Sequence, residues 1–180
     1  KLTVQGATLN KMSGTIKQKE GDVYVLNTKG AGAYQMPFSF DAKADLIGLK
    51  VNTPKAQNID ASIKYNGQPI KLSGRVNAND IDMLIKTSSL SLDQFSDSLP
   101  IALQNTKLTG EAEISGLMAS PVIESDISLS AFSLTKKTPA IKIDMSAGYQ
   151  DKLAQINLNG SEKGIKVLSA NVQTPVTLSL

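Results

Sequence analysis

The sequence predicts an all-β fold: an antiparallel meander curled into an open trough with an apolar inner face, with one short helix. Three observations predict it. Apolar and polar residues alternate with period two along most of the 180 residues, and a strand sends every second side chain to one face. Asn66-Gly67 divides two such runs, and both central residues of a type I′ hairpin turn need positive φ. Hydrophobic residues make up 41% of the chain but aromatic ones only 4%, so any interior is aliphatic.

Taken in order, the first strands are short: Val4 to Leu9, Met12 to Lys17, Val23 to Leu26 and Phe38 to Leu46. Gly- or Asn-rich turns such as Gly21-Asp22 and Gly30 to Gly32 separate them. Ile59, Ala61, Ile63 and Tyr65 then alternate with Asp60, Ser62 and Lys64, and Ile70, Leu72, Gly74, Val76 and Ala78 alternate with Lys71, Ser73, Arg75 and Asn77. A two-residue turn at Asn66-Gly67 sets Ile63 opposite Ile70, Ala61 opposite Leu72 and Ile59 opposite Gly74, with Ser62 facing Lys71 and Asp60 facing Ser73 behind them.

The pattern breaks at Ser91-Leu92-Asp93-Gln94, which fits a capping box. Leu92, Phe95 and Leu99 follow at helical spacing and Pro100 stops the run, predicting a helix over 92–99. It reads either as a plug over one end of the sheet or as a connector packing its leucines on the core. Alternation resumes with Leu108, Gly110, Ala112 and Ile114, then Ile123, Ile127, Leu129 and Ala131. Ile141, Ile143, Met145, Ala147 and Tyr149 come next, and a turn near Asp151-Lys152 sets Ala147 opposite Ile156 and Met145 opposite Leu158.

The length predicts a single domain over 1–180. The start at Lys1, without a leader, reads as a piece cut from a longer protein whose anchor lies elsewhere. With no His and no Cys the chain has no imidazole base, thiolate or soft metal ligand. No enzyme activity, cofactor or metal is therefore expected. The net charge is +3, but 18 of the 19 basic residues are Lys, only Arg75 offers a guanidinium fork, and apart from Lys136-Lys137 the lysines sit singly. That spacing argues against nucleic acid.

The short motifs carry little chemistry. Ser133-Leu134-Thr135-Lys136 followed directly by Lys137-Thr138 lacks the separation and Gly of a penicillin-recognising site. Asn77, Asn79, Asp80 and Asp82 lack EF-hand spacing and read as a polar strand connection. Gly30 to Gln35 fails the dinucleotide fingerprint, and Asn159-Gly160-Ser161 reads as a turn.

One apolar face must be covered. The inward residues Ile59, Ala61, Ile63, Ile70, Leu72, Val76, Leu108, Ala112, Ile114, Ile123, Ile127, Leu129, Ile141, Ile143, Met145, Ile156 and Leu158 are aliphatic, without rings to fill space. They either close a sandwich core or line a channel for alkyl chains. Burying ten methylenes is worth about 8 kcal/mol at about 0.8 kcal/mol each.

The stretch Leu90 to Leu134, above all Leu99-Pro100, Leu108-Thr109-Gly110-Glu111-Ala112-Glu113-Ile114-Ser115-Gly116 and Ala119-Ser120-Pro121-Val122, resembles the repeated units of the AsmA-like superfamily. It is most similar to the TamB branch, the inner-membrane subunits of translocation and assembly modules of Gram-negative bacteria. The motif covers about a quarter of the chain. The resemblance implies a long curled β-sheet with a hydrophobic groove in the periplasm, anchored to the inner membrane through a segment outside these residues. It also implies phospholipid acyl chains as cargo, passing between inner and outer membranes in outer-membrane biogenesis. Through the full-length chain it implies an Omp85-type outer-membrane partner. Groove-lining roles carry over to Leu108, Ala112, Ile114, Ile123, Ile127 and Leu129. The expected function is thus a noncatalytic groove for phospholipid transport. The alternative is a chaperone or scaffold that assists β-barrel assembly by strand augmentation.

Overall fold

The computed structural model describes residues 2–4, 7–34, 36–50, 53–93, 103, 105–133 and 138–178. Among them the chain is all β. Twelve strands follow one another in an open antiparallel meander, each bonded to its sequence neighbours from first to last. The chain divides into two compact units, Lys1–Ile85 with Ser115–Met118, and Lys86–Ile114 with Ala119–Leu180.

Unit 1 holds β1 (Leu2–Val4), β2 (Ala7–Glu20), β3 (Val23–Tyr34), β4 (Met36–Ile47), β5 (Lys55–Tyr65), β6 (Gln68–Val76) and the first half of β7 (Asp80–Ser91). The β5–β6 hairpin has the expected register, Ile63↔Ile70, Ala61↔Leu72 and Ile59↔Gly74. Asn66 and Gly67 both have positive φ, 49° and 81°, as a type I′ turn requires. Strands β2 to β4 are longer than expected. Gly30 and Gly32 form no turn; they lie inside β3, paired with Phe40 and Phe38. A Cβ on Gly30 would lie 2.5 Å from the Phe40 ring, and one on Gly32 would lie 2.7 Å from the Phe38 ring. The glycines therefore make room for rings that cover them across the strand.

Unit 2 holds the rest of β7, most of β8 (Lys107–Leu117), β9 (Ser120–Phe132), β10 (Ile141–Gln150), β11 (Leu153–Glu162) and β12 (Ile165–Pro175). The β10–β11 register is the expected one, Ala147↔Ile156 and Met145↔Leu158. Asp151 and Lys152 form the turn at φ 51° and 63° without a glycine. Asn159-Gly160 is not a turn; it lies within β11, and the chain reverses at Lys163-Gly164, φ 49° and 82°. A Cβ on Gly160 would sit 2.9 Å from Leu168 Cβ, so that glycine admits a neighbouring side chain.

Of the helix expected over 92–99 only Leu92 and Asp93 are described, Asp93 with 3-10 geometry just after β7 ends at Ser91; residues 94–99 lie outside the described ones. Ser91 Oγ does accept the Asp93 N–H at 3.3 Å. Leu92 packs beside Leu103, Phe132 and Ile143, which form the buried cluster of unit 2. Thr106 is fully buried there, its N–H donating to the Leu103 carbonyl and its hydroxyl to the Ala131 carbonyl.

Bulges repair the alternation wherever apolar residues fall three apart rather than two. Leu9 and Met12 stay on one face because the register shifts between Leu9 and Lys11. Ala56 and Ile59 do so across a shift at Asn58, whose φ is 50°. Leu129 and Phe132 do so across a shift at Ala131, φ 57°, so Ala131 is the extra residue and does not continue the alternation expected of it. Such an extra residue is the ordinary way to turn a strand's faces. Alanine is poorly suited to the left-handed region, whereas glycine adopts it without penalty. Ala131→Gly is therefore expected to stabilise the protein by about 1 kcal/mol, read as a higher urea midpoint at unchanged m-value.

Candidate functional site

Cross-strand pairing sorts the side chains of each unit into two faces. In unit 1, β5 and β6 place Ile59, Ala61, Ile63, Ile70 and Leu72 on one face, with Val76 beyond a bulge opposite Ala56. The face extends onto β4 through Phe40↔Ile63 and Phe38↔Tyr65, and then onto β3 and β2 through Leu26↔Ala44 and Ile16↔Leu26. In unit 2, Ile123, Ile127 and Leu129 pair with Tyr149, Met145 and Ile143. Met145, Ala147 and Ile143 pair in turn with Leu158, Ile156 and Gly160. Ile141 pairs with Phe132 on the same face. Leu108, Ala112 and Ile114 are half-buried positions alternating along β8 with exposed Thr109, Glu111 and Glu113. The expected lining residues thus share one face within each unit wherever register is defined.

Sequence reading missed the contribution of β2 to β4. Met12, Ile16, Leu26, Phe38, Phe40 and Ala44 continue the apolar face of unit 1. The usable signal was the Gly–aromatic pairing, which keeps the alternation going through Gly30 and Gly32. On β12, Leu168 and Val172 extend the face of unit 2 opposite Gly160 and Ile156.

Coverage of these faces is uneven. Ile143 is 7% exposed and Phe132 8%, beneath Leu103. Away from that cluster, Met12 is 64% exposed, Ile63 42%, Ile156 38% and Val172 51%. Isolated apolar residues at a surface need no explanation, but a contiguous apolar set does.

The opposite faces are polar. In unit 2, Asn171 donates to Asn157, Asn157 to Ser146 at 3.5 Å, and Ser169 to Asn159 at 3.4 Å, forming ladders across the strands. Among the described residues three ion pairs, Arg75–Asp82, Lys86–Glu111 and Lys142–Asp144, are each about half exposed and contribute little to stability. The Lys142 ammonium, aided by Ser128, holds the Asp144 carboxyl below its usual range. That small stabilisation is present at neutral pH and is lost as the pH falls through the lowered value.

The polar rows also contain hollows. One of about 560 Å³ in unit 1 is lined by Lys11, Ser13, Lys29, Ser39, Asp41, Ser62 and Lys64 among others. Another of about 320 Å³ in unit 2 includes Thr109, Asp126, Ser128 and Asp144. Asn77 closes the β6–β7 connection, its Oδ1 accepting the N–H groups of Asn79 and Asp80. Among the described residues no group of three or more acidic side chains is placed to hold a metal. Of the Ser133 to Thr138 run, residues 134–137 lie outside the described ones.

No protein-family model, no curated protein and no solved structure matches the chain.

Proposed function

We propose that the chain is a noncatalytic module whose apolar face shelters the acyl chains of phospholipids. The observation that carries this reading is the register. In both units it gathers apolar side chains into cross-strand rows, interrupted at Thr28 and Ser125, and leaves several of them open to solvent, while polar ladders occupy the reverse face of unit 2. In this reading the meander curls into a trough with the apolar rows inside. Lipid moves along it because successive positions bind hydrocarbon almost equally, each sheltered methylene being worth about 0.8 kcal/mol. No arginine fork lines the rows, so headgroups stay in water at the mouth. The resemblance to the TamB branch supports a periplasmic setting, an inner-membrane anchor elsewhere in the chain, and delivery towards the outer membrane beside an Omp85-type partner.

Photo-crosslinking tests the reading. A benzophenone residue at Ile63 or Ile156 is expected to yield phospholipid adducts in cells several-fold above those at Lys71 or Asn157 on the polar face. Equal labelling at the four positions would refute it. Ile143 is a poor probe site because it belongs to the buried cluster.

The second reading, strand augmentation of a client β-protein, draws on β12. This last strand of the order is exposed along its whole length, and Lys166 is its one charged residue. It therefore lacks most of the devices that blunt an edge. Ile156→Arg separates the two: it abolishes lipid adducts under the first reading and spares client pairing under the second.

A further inference from the structure

The charge of the chain is unevenly shared. Unit 1 carries eleven basic and seven acidic side chains, and unit 2 eight and nine, so the net +3 resolves into +4 and −1. Lysines far apart in sequence become neighbours through strand register. One cross-strand row on the polar face of unit 1 reads Lys11, Ala31, Ser39, Lys64, and the next reads Ser13, Lys29, Asp41, Ser62. No lysine stands directly opposite another in these rows, which avoids the destabilising pairing of like charges. Lys11 is set against Ala31 and Lys64 against Ser39, while Lys29 stands between Ser13 and Asp41. The resulting hollow of about 560 Å³ includes Lys11, Lys29 and Lys64 with Ser13, Ser39 and Ser62. Among the described residues none of these lysines forms an ion pair.

We infer that this hollow is a binding site for a phosphate monoester, on the face of unit 1 opposite the apolar rows. Three ammonium groups and the Asp41 carboxylate leave a formal charge of +2, the complement of a phosphate monoester carrying about −1.5 to −2 at neutral pH. The serine hydroxyls supply neutral donors to the remaining phosphate oxygens. Lysine binds phosphate as a point charge, without the bidentate fork of arginine. Asp41 lowers the attraction for every anion, so the net pull comes from the three ammonium groups.

The test is a titration of the full 180-residue chain with inorganic phosphate at low ionic strength, followed by amide chemical shifts. Saturable shifts are expected at Ser13, Lys29, Ser39 and Ser62 and not in unit 2. Lys11→Gln, Lys29→Gln and Lys64→Gln combined are expected to weaken binding about tenfold, and Lys29→Gln alone about threefold. Lys107→Gln, Lys152→Gln and Lys166→Gln combined remove the same charge from unit 2 and are expected to leave affinity within about twofold. Equal weakening by the two sets, or shifts spread over lysines of both units, overturns the inference. Flotation with phosphatidylglycerol vesicles separates the sources of phosphate. Vesicle binding that needs the three lysines, without saturable shifts from inorganic phosphate, also overturns the pocket and makes these rows a membrane-facing patch.

Discussion

Gly74→Ala is expected to cost about 3–5 kcal/mol, a large part of the 5–15 kcal/mol that holds a typical domain together. Gly74 sits in β6 opposite Ile59, with φ at 144°. A Cβ there would lie 2.0 Å from the Asp82 carbonyl oxygen, 2.8 Å from Met83 Cα and 2.9 Å from Met83 Sδ. Two of those atoms are backbone of β7, so no rotamer change relieves the contact. Backbone displacement and left-side φ strain each cost about 1–3 kcal/mol. Met83, one of the buried apolar side chains of unit 1, would move with its strand. Gly67→Ala is the control: its φ is 81°, but nothing lies within 4 Å of the added carbon, so it carries strain alone, about 1 kcal/mol. Urea unfolding of the two variants measures the difference. Similar midpoints would show that β6 and β7 do not approach as closely as this geometry requires.

Gly74 also marks the boundary of what the sequence could disclose. Its place in the alternation was legible, as was its partner Ile59, because Asn66-Gly67 pins the hairpin register and register propagates along both strands. The turn at Asp151-Lys152 worked the same way without glycine. Glycines failed as punctuation where they serve packing. Gly30 and Gly32 read as a turn because their function depends on Phe40 and Phe38, which lie in the next strand. Gly160 misled for the same reason, through Leu168. Bulges were hidden because a three-residue apolar spacing looks like lost alternation until the partner strand shows which residue is extra. The lysines looked scattered for a related cause. Lys11, Lys29 and Lys64 belong to three different strands, and only the pairings of β2 to β5 bring them to adjacent rows. Period two is a local signal, whereas side-chain clustering on a sheet follows the partners of a strand.

The apolar face of unit 2 has a covered and an open length, and the second large effect is expected at Phe132 in the covered one. Its ring packs with Leu103 and Ile143, with Leu92, Leu129, Ile141 and Leu158 around them. Replacement by alanine removes most of a buried ring and leaves a cavity that the residues of three strands and the β7–β8 connection cannot all close, so Phe132→Ala is expected to cost about 3–5 kcal/mol. Ile156 lies on the same face, opposite Ala147 and Val172, but is 38% exposed. Ile156→Ala is expected to cost no more than about 1 kcal/mol, since much of its surface already meets water and no closed cavity forms. Urea midpoints of the two variants give the comparison, and the lipid adducts formed at Ile63 in each background give its functional counterpart. A cost at Ile156 matching that at Phe132 would mean that the whole face is closed core with no surface left for hydrocarbon. A small cost there, with Phe132→Ala strongly destabilised, leaves the face anchored at the β7–β8 connection and open beyond it, the division a groove for acyl chains requires.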